Sequence, residues 1–446
     1  MTPANRFVIK TLGCKVNRSE SDDLASAFRR KGLSELQIDA DGSSVAPDPD
    51  QVGVCVINTC TVTEKASMQS RQAIRQAIRA YPEARIIVTG CYAQTQPEEI
   101  LKIEGVSRVV PQQKKQSLLA AAFPDSANTL PPPPYPWPDA NASSPEENRG
   151  NRTRAVLKIQ DGCDSNCTYC IVPKARGKSR SMPEAGVISN LQGHGRAGYQ
   201  EVVLSGVHLG NYGLDFSPPS SLMALLEKIE GLGIMRRVRL SSIEPHELSN
   251  EIIDVVARSR TFCRHFHIPL QSGDNDILRK MGRFYSRSFF RDLVETVHAR
   301  IPDAAIGVAV LVGFPGESEA AFENTFELID SLPVSYLHVF PFSPRKTTPA
   351  YDMPHKVKGT VIKARAARMR ALGEVKRQSF YDALSGRTVE VLVEGAVDAA
   401  SNLYRGRTSN YVPVHVAGHT GGKNVFVTVK VEKSLGFRGV MARPIS

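Results

Sequence analysis

The chain has 446 residues, 41% of them hydrophobic and 23% charged, with a formal net charge of +11. That length suits two to four ordinary domains and large cores that need no disulfide staples, so its eight cysteines call for another explanation. Met1–Lys10 lacks a basic region followed by an apolar run, and the longest apolar stretch, Ala304–Phe314, is too short for a bilayer. The expectation is no membrane, a cytoplasmic and reducing location, and cysteines that act as metal ligands or catalysts.

Strand-like and helix-like runs alternate from the start: Phe7–Thr11 then Ser19–Arg30, Val52–Ile57 then Lys65–Arg79, Arg85–Thr89 then Gln96–Lys102. The alternation predicts a parallel α/β domain over residues 4–115. Composition shifts at Pro111, and the prolines at 131–134, 136 and 138 predict an extended linker over 116–150. Trp137 within it reads as a tether packed on one domain.

A third region, 151–380, carries six buried-strand candidates: Ala155–Gln160, Glu201–Ser205, Arg237–Ser241, His265–Leu270, Ala305–Val312 and Tyr336–Phe340. Helical stretches such as Ser220–Ile229, Glu247–Ala257, Arg287–Arg300 and Glu319–Ser331 fall between them, which predicts a doubly wound or barrel-like sheet. A basic helix over Lys363–Arg377 follows. Residues 381–446 switch to β-type runs (Thr388–Glu394, Val412–Ala417, Asn424–Glu432), and a small closed β-barrel hides the edges of so few strands. The positive charge suits a polyanion such as RNA, although solubility alone accounts for it equally. The barrel and the basic helix are the candidate phosphate grip, with Tyr404, Tyr411 and Phe426 as candidate base-stacking residues and Phe426 the one better suited to the barrel core.

The densest chemical signal is Cys163-Asp-Ser-Asn-Cys167-Thr-Tyr-Cys170, on a loop directly after a predicted strand. Three thiolates hold three corners of a 4Fe–4S cube and leave one iron open. Structural zinc asks for four ligands, and no fourth Cys or His lies nearby in sequence. Cys14, Cys60 and Cys91 each follow the C-terminal end of a predicted strand. If those strands are parallel neighbours, the three sulfurs converge on one sheet edge as a second three-cysteine site. Three ordinary core thiols are the competing reading, and packing is the role assigned to Cys55 and Cys263.

The run Asp161-Gly-Cys-Asp-Ser-Asn-Cys-Thr-Tyr-Cys-Ile-Val-Pro173, with Ala175-Arg-Gly177, resembles the radical loop of the radical S-adenosylmethionine methylthiotransferase family. So do Thr11-Leu-Gly-Cys-Lys-Val-Asn17, Asn58-Thr-Cys-Thr-Val-Thr63, Thr89-Gly-Cys-Tyr-Ala-Gln94 and Val312-Gly-Phe-Pro-Gly-Glu317. The resemblance implies an N-terminal α/β domain, a central partial (β/α)6 barrel and a C-terminal RNA-binding TRAM barrel. It implies two 4Fe–4S clusters, an auxiliary one on Cys14, Cys60 and Cys91 and a radical one on Cys163, Cys167 and Cys170, together with S-adenosylmethionine. Tyr169 would touch the cofactor's adenine, Gly206 would admit its methionine end, and Ser242 and Glu244 would bond its ribose; loop or turn roles compete for each. Ser205-Gly-Val-His-Leu-Gly-Asn-Tyr-Gly213 and Ser241-Ser-Ile-Glu-Pro245 resemble the branch that methylthiolates carbon 2 of threonylcarbamoyl-adenosine at position 37 in the tRNA anticodon loop. Isopentenyl-adenosine or a ribosomal protein is the alternative substrate, and a non-catalytic iron–sulfur RNA sensor the alternative of another class. Lys174 departs from the aromatic residue that relatives often carry there. A flavodoxin or ferredoxin would donate electrons, the sulfur source is open, and a monomer already contains all three parts.

Overall fold

The computed structural model describes residues 6–36, 51–123, 153–397 and 403–445. In the first unit five strands, β1 (Arg6–Thr11), β2 (Ser34–Glu35), β3 (Val52–Thr59), β4 (Arg85–Gly90) and β5 (Arg108–Pro111), form an all-parallel sheet of order β2-β1-β3-β4-β5. β3 is apolar on both faces because helices cover both. On one side Ile57, Val88 and Tyr92 meet Ile74 and Ala77; on the other Val54, Val56 and Ile87 meet Phe7, Phe28 and Leu118. The covering helices are α1 (Lys15–Arg30), α2 (Glu64–Ala80), α3 (Cys91–Thr95), α4 (Pro97–Leu101) and α5 (Leu118–Ala122).

The linker expectation is corrected at its N-terminal end. Gln112–Ser117 forms a 3-10 turn and α5 follows, with Leu118 and Ala122 buried and Lys115 ion-paired to Glu20. Sequence composition concealed this because one short apolar run, Leu118–Ala122, does the packing. Residues 124–150, Trp137 among them, lie outside the described residues.

The six strands expected in the second unit form within a residue or two at their ends: β6 (Arg154–Lys158), β9 (Glu201–Ser205), β10 (Arg237–Leu240), β11 (His265–Gln271), β12 (Ala305–Val312) and β13 (Tyr336–Pro341). A two-residue ribbon, β7 (Gln160–Asp161) with β8 (Arg180–Ser181), brackets the cysteine loop. The six parallel strands fall into two halves, β6-β9-β10 and β11-β12-β13, joined along the backbone by the isolated bridges Val238↔Phe262 and Ser242↔His267 and sharing one core. Their outer face packs on α7 (Glu184–Arg196), α8 (Leu222–Leu232), α9 (Asn250–Arg258), α11 (Arg287–Arg300) and α12 (Glu319–Ser331). The remaining helices of this unit are α6 (Val172–Arg176), α10 (Asn275–Lys280) and α13 (Gly359–Asp382). Ser221, Ser249, Ser286 and Ser318 start α8, α9, α11 and α12 by accepting a backbone N–H three residues on. The first unit closes the open side of this partial barrel, with α1 against β6 through the Lys158 N–H to Ser19 Oγ bond of 3.1 Å.

The third unit is a closed barrel of order β14-β15-β16-β18-β17, from β14 (Thr388–Ala396), β15 (Leu403–Thr408), β16 (Pro413–Ala417), β17 (Phe426–Ser434) and β18 (Val440–Pro444). It docks on the N-terminal ends of the parallel strands. Arg239, held by Glu201 at 2.8 Å, donates to Ser409 O at 2.8 Å, and Arg237 donates to Glu390 O at 3.0 Å. Several of the residues expected at an RNA surface have protein partners here. Tyr411 is wrapped by Arg154, Arg239 and Arg407, and Phe426 lies 3.9 Å from Arg236, so both serve this junction and present no free stacking face. Tyr404 packs on the barrel core and against His419. Of the basic helix, Arg365 is buried against Glu317 at 2.8 Å, Arg368 pairs with Glu323, and Lys376 caps the Leu332 carbonyl. Among the described residues no helix is long and apolar enough to cross a membrane.

Candidate metal and cofactor centre

Because β1, β3 and β4 are adjacent and parallel, their C-terminal ends lie side by side. Cys14 is the N-cap of α1, Cys60 follows β3, and Cys91 opens α3 straight after β4. The structure brings these three together. Cys60 and Cys91 lie within the electrostatic reach of Cys14 and of each other. Gly13 has φ +97°, and a methyl placed on it would stand 2.9 Å from Cys60 Sγ, so only glycine fits between the Cys14 and Cys60 loops. Asn17 stitches the same loops, donating to Leu12 O at 2.8 Å and to Thr59 O at 2.9 Å. Burial pushes the Cys91 thiol up to about 11 while Arg176 opposes it.

The second loop hangs from β6 and β7. The Cys163 N–H donates to Gly177 O at 3.0 Å, Thr168 N–H to Met281 O at 3.0 Å, and Ala350 N–H to Thr168 O at 2.9 Å. Backbone N–H groups of Ser165 and Val172 point at the sulfurs of Cys163 and Cys170, 3.4 and 3.5 Å away. His208 Nδ1 lies 3.3 Å from Cys163 Sγ, and its Nε2 is 2.6 Å from Glu247. Burial alone would raise Cys163, but the His208 contact outweighs it and the thiol is lowered; burial pushes Cys170 up to about 12. The donor set fits an iron–sulfur cube: three thiols on one loop with N–H groups aimed at sulfur. Among the described residues no three His, Cys, Asp or Glu side chains converge as ligands of a single ion would. A cube instead spaces its thiolates one to each iron. Cys55 is buried in the core of the first unit, and Cys263 is buried beside Arg239, Glu201 and Ser409; neither joins the two groups.

Of the expected cofactor contacts, Tyr169 and Glu244 are brought together. Both bond Arg283, the Tyr169 hydroxyl at 2.6 Å, and Tyr169 packs edge-on against Phe314. Ser242 Oγ is 2.6 Å from His267 Nδ1. A methyl on Gly206 would meet Gln160 Oε1 at 2.9 Å, so protein packing already requires glycine there. Sequence reasoning missed Arg283, His208 and Arg176, whose partners lie far away along the chain. The motifs Ala175-Arg-Gly177 and Ser205-Gly-Val-His-Leu-Gly-Asn-Tyr-Gly213 carried Arg176 and His208 without indicating their partners, and Arg283 had no signal.

Arg176 stands between the two cysteine groups. It faces Cys91 and Cys14, bonds Asn17, and pairs with Glu20 at 2.9 Å and Asp161 at 2.8 Å. Lys115 and Lys158 complete this buried network on Glu20. A strap, residues 343–350, makes a second tie. Arg345 reaches Thr61 Oγ1 at 2.6 Å, Ser67 Oγ at 3.1 Å and Glu64 at 2.9 Å, while Thr347 O accepts from Lys174 beside Cys170. Lys174, the departure seen in the sequence, is thus a clamp between the cysteine loop and the strap.

Comparison with known proteins places this geometry. The family described as "Uncharacterized protein family UPF0004" matches residues 6–111, and the Radical SAM superfamily matches residues 157–329. The chain is 37% identical over 438 residues to Threonylcarbamoyladenosine tRNA methylthiotransferase MtaB of Bacillus subtilis, covering 95% of this chain and 93% of that protein. It is 35% identical to the protein of that name in Aquifex aeolicus, over 87% of this chain and 92% of that one. To tRNA-2-methylthio-N(6)-dimethylallyladenosine synthase of Fusobacterium nucleatum it is 31% identical, over 95% and 96%. Among solved structures, the radical S-adenosylmethionine methyltransferase TsrM of Kitasatospora setae superposes with a TM-score of 0.55 at 16% identity, over 78% of this chain and 75% of that one, a likeness of fold.

Proposed function

Because this chain belongs to the radical S-adenosylmethionine methylthiotransferase family, we propose that it transfers a methylthio group to carbon 2 of N6-threonylcarbamoyladenosine at position 37 of tRNA. Family membership implies S-adenosylmethionine and a 4Fe–4S cluster. The observation that carries the reading is that Arg176 ties the two cysteine loops together, facing Cys91 and Cys14 on one side and pairing with Asp161, two residues before Cys163, on the other. Cys163, Cys167 and Cys170 would hold the radical cluster, and Cys14, Cys60 and Cys91 a second one. When bound, these groups supply hydrogen abstraction from an unactivated C–H bond and a sulfur for transfer.

The chain's own residues do the rest. Ser165 and Val172 direct N–H groups at the radical-loop sulfurs. Tyr169, which with Glu244 bonds Arg283, would contact the adenine of S-adenosylmethionine, Gly206 would admit its methionine end, and Ser242 and Glu244 would bond its ribose. Arg176 and the 343–350 strap fix one cysteine group against the other. The first unit packs across the partial barrel through α1 on β6. Exposed Lys430, Lys433 and Arg405 on the terminal barrel provide positive charge for the tRNA backbone. A flavodoxin or ferredoxin as electron donor, a cytoplasmic setting and a monomeric state complete the reading.

The test is an anaerobic iron and sulfide count, with and without Cys163→Ala/Cys167→Ala/Cys170→Ala, followed by mass spectrometry of tRNA nucleosides. About eight irons in the parent and about four in the variant are expected, together with a methylthio adduct on threonylcarbamoyladenosine. Zinc without sulfide, or an adduct confined to isopentenyladenosine or to protein, overturns the assignment.

A further inference from the structure

The lumen of the partial barrel holds an unassigned group of side chains. Strand alternation turns Leu337 and Val339 of β13 toward the outer helices and leaves Tyr336, His338 and Phe340 on the opposite, inner face. In β11 Phe266 and Ile268 join the outer core, and His265 and His267 face inward. The inner rings form one cluster: His267 to His338 at 5.1 Å, His338 to Tyr336 at 5.3 Å, and His265 Nε2 to Tyr336 OH at 2.8 Å. Lys15 enters from across the gap, at the start of α1. Its side chain is solvent-accessible, yet it faces Tyr411 and Arg239 and sits within electrostatic reach of His265, His267 and His338.

Two features mark this cluster as waiting for a ligand. No hydrogen bond or ion pair holds the Lys15 ammonium among the described residues, and His267 Nε2 is buried without a partner although Nδ1 bonds Ser242. Burial first, then neighbouring positive charge, lowers His267 to about 3 and lowers His338 as well. With the imidazoles kept neutral chiefly by burial and the Lys15 ammonium beside them, the lumen favours an anion. The cluster is also graded along the strand. Phe340, 46% exposed, lies toward the C-terminal rim where the cysteine loop hangs, His338 one step in, and Tyr336 deepest.

We propose that Lys15, His267 and His338 form a carboxylate subsite that receives the threonyl end of the N6 substituent, with Phe340 beneath the base. The inference rests on the reading of the substrate given above. Adenine C2 and N6 leave the ring in different directions, so a base presenting C2 to the cysteine rim carries its N6 group away from that rim. A substituent ending in a carboxylate then meets the basic groups lower in the lumen, where an uncharged isopentenyl group would leave them unpaired. A salt-bridged Lys15 and a hydrogen bond from His267 Nε2–H or His338 supply the discrimination.

The experiment uses the reconstituted full chain and tRNA bearing either threonylcarbamoyladenosine or its neutral carboxamide at the same position. The parent should prefer the acid in kcat/KM by roughly tenfold to a hundredfold, the range expected of a charge-assisted hydrogen bond. Lys15→Gln and His338→Gln, each verified for iron content and folded circular dichroism, should lose most of that preference, chiefly through KM for the acid. Lys15→Arg should recover part of it. A preference unchanged in both variants overturns the subsite. An equal loss on acid and amide also overturns it, because it assigns Lys15 to phosphate contact or to support of Cys14. A parent that modifies neither substrate but modifies isopentenyladenosine instead refutes the substrate reading itself, a different result from either of these.

Discussion

At the scale of single residues, Gly13 sets the tightest constraint on the N-terminal cysteine group. It combines φ +97° with a van der Waals approach to Cys60 that leaves no room for a methyl. Gly13→Ala is expected to cost about 1–3 kcal/mol in backbone strain and to displace Cys60 Sγ. The reconstituted variant should stay folded by circular dichroism while its iron content falls toward that of a single cluster. An unchanged iron count would show that the Cys14–Cys60 spacing tolerates a side chain. The cysteines themselves were legible in sequence, because each follows an apolar run of strand length. Arg283, Lys15 and Arg345 were not. Arg345 meets Thr61 across 284 positions and Arg283 meets Tyr169 across 114, and no local spacing encodes such a pairing.

At the scale of elements, the 343–350 strap and the Glu201–Arg239 pair each join two units, with different consequences. Arg345→Met removes the bonds to Thr61, Ser67 and Glu64 without touching either cysteine group. Cluster content should be kept, while methylthio product per 5′-deoxyadenosine falls about tenfold or more, since displacements near 1 Å carry penalties of that size. Undiminished coupling would assign the strap to stability alone. Glu201 is fully buried; burial by itself raises its pKa, but Arg239, Arg154 and Arg237 outweigh it and hold the carboxyl below the ordinary range. Its stabilising contribution is therefore complete above the unfolded value of about 4.3 and is lost as pH falls through the lower folded value. Melting temperature should drop steeply below about pH 4 in the parent. Glu201→Gln, which strands Arg239, should lose roughly 3–5 kcal/mol near neutrality and show a flatter acid limb. Strand positions in this unit were readable from apolar runs such as Ala305–Val312. β15 and β18 were not, since Leu403–Thr408 carries two arginines and Val440–Pro444 ends in proline, and closure of the barrel rather than composition makes them strands.

At the scale of the whole molecule, charge is distributed differently from its sequence density. The helix richest in arginine spends Arg365 and Arg368 on acidic partners, whereas Lys430 and Lys433 on the terminal barrel face solvent. Lys430→Glu/Lys433→Glu should weaken tRNA binding at low salt and flatten the slope of log Kd against log salt by about 2, with Arg370→Glu on the helix having a smaller effect. Equal effects would return the helix to the binding surface. The three-unit plan was visible in the switch from β–α alternation to β-runs near residue 386. The docking of the barrel through Tyr411 and Phe426 was not, because an aromatic residue serves a junction and a nucleobase equally well until its neighbours are known.

The two halves of the parallel sheet meet at β10 and β11 through Val238 N–H to Thr261 O, Cys263 N–H to Val238 O and Ile243 N–H to His267 O, in place of a continuous ladder. Backbone bonds are fewest along this line, so local opening of the sheet is expected to begin there. Backbone exchange at Ile243 and Cys263 is therefore expected to outpace that of the β12 interior in the substrate-free protein.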